Sequence, residues 1–226
     1  MSGTSFTSPE EPDTVRRVIW AEAAEDVPDV RAKYLQHFRG EVEQFCDAMI
    51  SAYAAWRELD SKVRDAEPAY VSALVFSAIN LNIVSMRLLI GGYQVAAGSV
   101  HRQVLETIAL AILCSSPSLG IRARFIAGKY STNKAVRDLL RHASALKLNE
   151  ASVKVLERSR DFFHDFSHPS VLSLATLTSF SGQGIYLGAA FDPGKLELYR
   201  KEVKALVSLA SVLGNMIAGV GNQMGA

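Results

Sequence analysis

"FRGEVEQFCDAMISAYAAWRELDSKV", residues 38–63, decides the fold. Its apolar side chains Phe38, Val42, Phe45, Met49, Ala52, Trp56, Leu59 and Val63 recur at alternating steps of four and three. A helix gathers such a set into one stripe, whereas a strand would need a step of two. The stripe is long enough for the helix to lie lengthwise on its neighbours at a shallow angle. Upstream, Pro28-Asp29 marks the start, with Asp29 available to cap the free amides of the first turn, and the pattern runs to about Asp65.

The rest of the chain reads the same way. Pro68 starts a second helix that ends at Gly91-Gly92, and a third runs from about Tyr93 to Ser116, stopped by Pro117. Both carry few charges and belong at the centre of the fold. Residues 119–146 form a fourth helical region with Gly128 as a break, and Asn149 caps a fifth helix that Pro169 closes. Residues 170–180 fit a short helix or an extended piece. The stretch 181–194, SGQGIYLGAAFDPG, is a glycine-rich loop with at most a short hairpin, before a last long helix from about Lys195 to near Gln223. There is no fixed-period repeat and no linker. The expectation is one all-α domain over residues 15–226, a helical bundle of five to six main helices, behind a flexible leader at 1–14.

Of the 226 residues, 49% are hydrophobic and 21% charged, the composition of a folding chain. A net charge of +1 creates no global field for nucleic acid, and any basic footprint must be local. Cys46 and Cys114 are far apart and lie within helical patterns, which reads as free thiols in a reducing, cytoplasmic setting. Residues 1–14 have neither the basic start nor the apolar run of a signal peptide. The uncharged stretches 69–86 and 205–226 are long enough to span a bilayer, but Asn80, Asn82, Gly214, Asn215 and Gly219 interrupt them. They read as buried bundle helices, and no membrane is expected.

Charged, aromatic and imidazole groups crowd together only in RSRDFFHDFSHPS, residues 158–170. On a helical wheel Phe162, Phe163 and Phe166 share one side. Glu157, Asp161, His164 and His168 form a stripe on the other, flanked by Arg158 and Arg160. A solvated polar face is one reading of that stripe. A metal site is another: His164 and His168 at i, i+4, with Asp161, echo the spacing of zinc and di-iron helices, although a second ligand helix is missing. The third is phosphate chemistry, because the preceding helical region is basic and sets Lys134, Arg137 and Arg141 on one face as a candidate substrate-binding surface.

Arg158 and His164, with five residues between them, match an Arg-x(4–6)-His motif, and in this the chain resembles the HEPN superfamily of all-α domains. Many of these act as metal-independent ribonucleases after dimerising. The resemblance implies a protein that binds or cleaves RNA, with Arg158 steadying the scissile phosphate, His164 assisting attack by the ribose 2′-hydroxyl, and Arg160 and His168 beside them. Ser159 departs from the Asn, Asp or His usual after that arginine. On a continuous helix Arg158 and His164 also stand about 120° apart, so their convergence requires a bend or two chains.

A second resemblance spans about residues 70–200. MRLLIGGYQVAAGSVHRQVLETIA (86–109), followed by DFFHDFSHPS, looks like a broad group of uncharacterised bacterial helical proteins that pair an Arg-x(3)-Glu segment with a later Ser-His-Pro turn. Within it Arg102 and Glu106, at i, i+4 on a nearly uncharged helix, read first as a structural ion pair. No GxSxG elbow, Walker loop or dinucleotide-binding context is present, and no cofactor is implied. The long uncharged faces predict a homodimer or higher oligomer. The alternatives to the RNA reading are a non-enzymatic helical oligomer or protein-interaction module, and a metal-dependent hydrolase using Asp161, His164 and His168.

Overall fold

The computed structural model describes residues 4–6 and 12–225. Helix dominates them, and the all-α reading holds. Among the described residues α1 spans Pro12–Ala24, α2 Pro28–Lys62, α3 Ala66–Ile90, α4 Gln94–Ser115, α5 Ile121–Ile126, α6 Ala135–Arg141, α7 Glu150–Ser167, α8 Val171–Leu177 and α9 Leu196–Met224. The five long ones, α2, α3, α4, α7 and α9, make the bundle.

The seam that opened the sequence does pack inward. Phe38, Phe45, Met49, Ala52 and Leu59 are buried, and Val42 and Trp56 are partly so. They lie chiefly along α9. Tyr34 meets Tyr199, while Gly214 and Gly221 come against Ala52 and Leu59. Rising residue numbers on both helices mean that α2 and α9 run parallel. The seam is not straight, because Phe38 leaves helical geometry (φ −132°, ψ 16°) and bends α2. No side chain caps α2. Its N-cap is Val27, and Asp29 lies in the first turn, where a negative charge suits the helix dipole.

α3 and α4 form a hairpin turned at Gly91-Gly92, where Gly92 takes a φ of +84° that glycine alone adopts readily. α3 begins at Ala66, two residues before Pro68, which fits into its first turn. α4 is the central rod: 14 of its 22 residues are buried, and it touches α3, α6, α7 and α9. α3 and α9 are each long and apolar enough to cross a membrane. In the bundle α3 buries Ser72, Asn82 and Ser85 toward its neighbours, and α9 buries Glu202.

The region 119–146 is shorter in its helices than expected. Gly128, at φ +67°, ends α5, and a 3-10 turn at Thr132–Lys134 leads into α6. The segment 170–180 is mostly helix: α8 carries a reciprocal capping box between Ser170 and Ser173. In the glycine-rich loop, β2 (Ile185–Leu187) pairs antiparallel with β1 (Thr4–Phe6), far away in the chain, and makes one isolated bridge to Thr178. Of the expected leader, residues 1–3 and 7–11 lie outside the described residues. α1 is tied down through Glu22, whose Oε2 accepts from the Ala189 amide (2.8 Å) and the Tyr93 hydroxyl (3.3 Å).

Candidate functional site

Asn149 starts α7 as expected: its Oδ1 accepts from the amides of Ala151 (2.9 Å) and Ser152 (3.3 Å). The far end of α7 is pressed onto α4. Phe163 and Phe166 are buried, and Ser99 Oγ donates to the Phe166 carbonyl (2.9 Å). Gly98 makes this approach possible, since a Cβ there would lie 2.5 Å from Phe166 Cγ. His168 then leaves the helix in an extended conformation (φ −138°, ψ 155°), and Ser170 Oγ closes the turn on the Asp165 carbonyl (2.7 Å).

That turn delivers His168 to α4. His168 Nε2 lies 3.3 Å from Arg102 Nη1, and Arg102 Nε donates to Glu106 Oε1 at 2.9 Å. A guanidinium only donates, and the contact is a hydrogen bond when Nε2 is unprotonated, which places the proton of neutral His168 on Nδ1. The Arg102 and Glu106 side chains are only 17% and 13% exposed, and Glu106 holds the guanidinium in place. His164, exposed one turn back, stands edge-on to His168 with ring centres 4.5 Å apart. Arg160 lies a further turn back at i−4 and is bonded to its neighbour Asp161. The result is a shelf of two imidazoles between two arginines. It joins the Arg-x(3)-Glu segment to the Ser-His-Pro turn, two stretches 66 positions apart in the chain.

The other expected residues fall elsewhere. Arg158 donates from Nε to the Lys154 carbonyl (3.3 Å) and lines a groove between α7 and α9. α7 is a continuous helix between Arg158 and His164, and no bend brings the two together in one chain. Around α6, Asp138 accepts from Arg141 (3.1 Å) and the Tyr130 hydroxyl (3.0 Å), and Arg137 lies 3.9 Å away. Lys134, exposed at the end of the 3-10 turn, extends that face. Among the described residues no three His, Cys, Asp or Glu side chains gather to hold a metal ion; Asp161 turns to Arg160 and His168 to Arg102.

Three buried polar features were not read from the sequence as groups of interest. His101 is fully buried against Phe163 (4.5 Å between ring centres), neither ring nitrogen has a partner, and burial pushes its pKa down to about 3. Glu202 accepts from Gln94 Nε2 (2.8 Å) while its Oε2 has no partner, and burial pushes it up to about 8 against the opposing effect of that bond. Asp192 fastens the glycine-rich loop, taking the amides of Phe180 (2.6 Å) and Gly194 (2.8 Å), and Lys195 donates to the Thr176 carbonyl (2.6 Å) over the rings of Phe180 and Tyr186. The phase of each helix carries a signal for the first two. His101 continues the stripe of Ala97, Val104 and Ile108, and Glu202 that of Tyr199, Leu206 and Leu209.

No family model matches this chain, and neither a curated protein nor a solved structure matches it.

Proposed function

We propose that the protein cleaves RNA at the shelf where α7 meets α4, in the HEPN-like manner but with Arg102 in place of Arg158 as the phosphate-holding arginine. The observation that carries this reading is the 3.3 Å approach of Arg102 to His168, with the His164 ring stacked beside it. Arg102 uses two of its five N–H groups on Glu106 and His168, which leaves donors for a phosphate oxygen. A phosphate on Arg102 competes for Nη1 and frees His168 Nε2 to take up a proton.

The chemistry balances without a co-reactant. His164 removes the proton of the 2′-hydroxyl, whose oxygen attacks phosphorus. The bond to the 5′-oxygen breaks, and protonated His168 returns a proton to that leaving oxygen. The ends are a 2′,3′-cyclic phosphate and a 5′-hydroxyl. Arg102 and Arg160 neutralise the charge that builds on the phosphoryl oxygens.

The test is incubation of a labelled RNA pool with purified protein in EDTA, with His164→Ala and Arg102→Lys alongside. Cutting that survives EDTA, leaves cyclic phosphate ends and falls at least a hundredfold in His164→Ala is the expected result. Cutting that depends on a divalent ion, or that persists in His164→Ala, overturns it. A second reading, a protein-interaction module, is favoured by the apolar row on α8 next to the shelf, where Val171 and Leu174 are 86% and 62% exposed. Absence of any cutting transfers the weight to it.

A further inference from the structure

α7 and α9 run antiparallel over α4 and leave an open groove of about 920 Å3 between them. The size lies within the roughly 300–1,000 Å3 of ligand pockets. Its floor is Leu105 and Ile112 of α4, and its walls include Leu156, Phe162, Leu209 and Met216. The α9 side is a continuous stripe from Lys201 to Val220, about 28 Å at the helical rise per residue. Among its lining residues only two are charged, Arg158 and Lys201, and both are cations. Neither has a carboxylate partner among the described residues, and no acid lines the groove. Both lie toward the end formed by the C-terminal half of α7 and the start of α9. The opposite end carries only the neutral amides of Asn149, Asn215 and Gln223.

We infer that this groove binds a long-chain carboxylate, with the anionic head at Lys201 and Arg158 and the hydrocarbon tail laid along the α4 floor. The arrangement suits an amphiphile with one negative end: two unpaired cations at one end, apolar walls between, and no charge at the other. A second copy is the poorer occupant. Two-fold pairing sets the same patch against itself, and these cations would then face a surface with no carboxylate to receive them. A cationic amphiphile is disfavoured for the same reason. The site lies on the face of α7 away from His164, and the inference is independent of the RNA reading.

The experiment is calorimetric titration of the full chain with decanoate, dodecanoate and tetradecanoate, and with dodecyltrimethylammonium as the cationic counterpart. One site per chain is expected, tightening by about fourfold per added methylene. Lys201→Glu combined with Arg158→Glu weakens dodecanoate at least tenfold while keeping the chain-length dependence. Val212→Trp, at a half-exposed wall position, abolishes binding with an unchanged helical circular-dichroism spectrum. Equal binding of the cationic amphiphile overturns the inference. So does failure of every carboxylate to bind, whether the protein then sediments with phosphatidylglycerol vesicles or Val212→Trp instead splits an oligomer of this chain.

Discussion

His101 and Glu202 are buried ionisable side chains that pull the pH dependence of stability in opposite directions. An imidazole depressed to about 3 contributes stability above its ordinary 6.5 and loses it as pH falls toward 3. A carboxyl raised to about 8 contributes stability below its ordinary 4.5 and loses it as pH rises through 8. Between 4.5 and 6.5 both groups are at work and the slopes cancel, about 1.4 kcal/mol per pH unit each way. Urea unfolding across pH should therefore give a plateau over that interval. Beyond it these two groups remove on the order of 2 kcal/mol from pH 6.5 to 8, and as much from 4.5 to 3. Glu202→Gln should flatten the alkaline limb and leave the acid one, and His101→Leu the reverse. Identical limbs in wild type and variants would mean that these groups reach water in the folded state.

At the scale of elements, the docking of α7 on α4 depends on Gly98. A methyl group there meets Phe166, and Gly98→Ala should cost about 1–3 kcal/mol as α7 is displaced. The same displacement withdraws His168 from Arg102, so RNA cutting should fall by more than the loss of folded protein explains. Phe166→Leu added to Gly98→Ala should recover part of the stability, because the two side chains share one space. Asn149→Ala tests the other end of α7: its cap bonds predict a loss of about 1 kcal/mol with little effect on cutting. Most of these elements were legible because their signals are local. Period, proline, glycine and cap residues place α2, α3, α4, α7 and α9 to within a few residues. The third and fourth helical regions differ in this respect: Gly128 is a local signal, but the 3-10 turn before α6 has none. α1 escaped notice because none of its side chains is buried, and its hold on the fold is the long-range contact of Glu22 with Ala189. The shelf was half legible. His164, His168 and the Arg102–Glu106 pair were each visible on their own helices, but which arginine meets which imidazole depends on the turn at His168 and on the bare backbone of Gly98.

For the whole molecule, the parallel course of α2 and α9 and the cross-chain pairing of β1 with β2 follow from packing across long separations, which no local pattern encodes. What the bundle leaves uncovered is informative in turn. α8 presents Val171, Leu174 and Leu177 at steps of three, and Phe180 and Ile185 extend the same exposed apolar region. A row of this kind on a single chain predicts self-association, since monomers rarely expose contiguous apolar patches of such extent. If α8 is the contact, the melting temperature should rise with protein concentration, as it must when association favours the folded state. Light scattering should then report a dimer. Leu174→Asp, at an exposed position that the core does not use, should yield a monomer with full helical content and a melting temperature independent of concentration. Because α8 follows His168 after Pro169 and Ser170, that monomer also shows whether the shelf works within one chain. Cutting retained in the monomer places Arg102, His164 and His168 of a single chain at the reaction. Cutting lost with the dimer returns Arg158 to the account, as the arginine that only a second chain could bring within reach of His164.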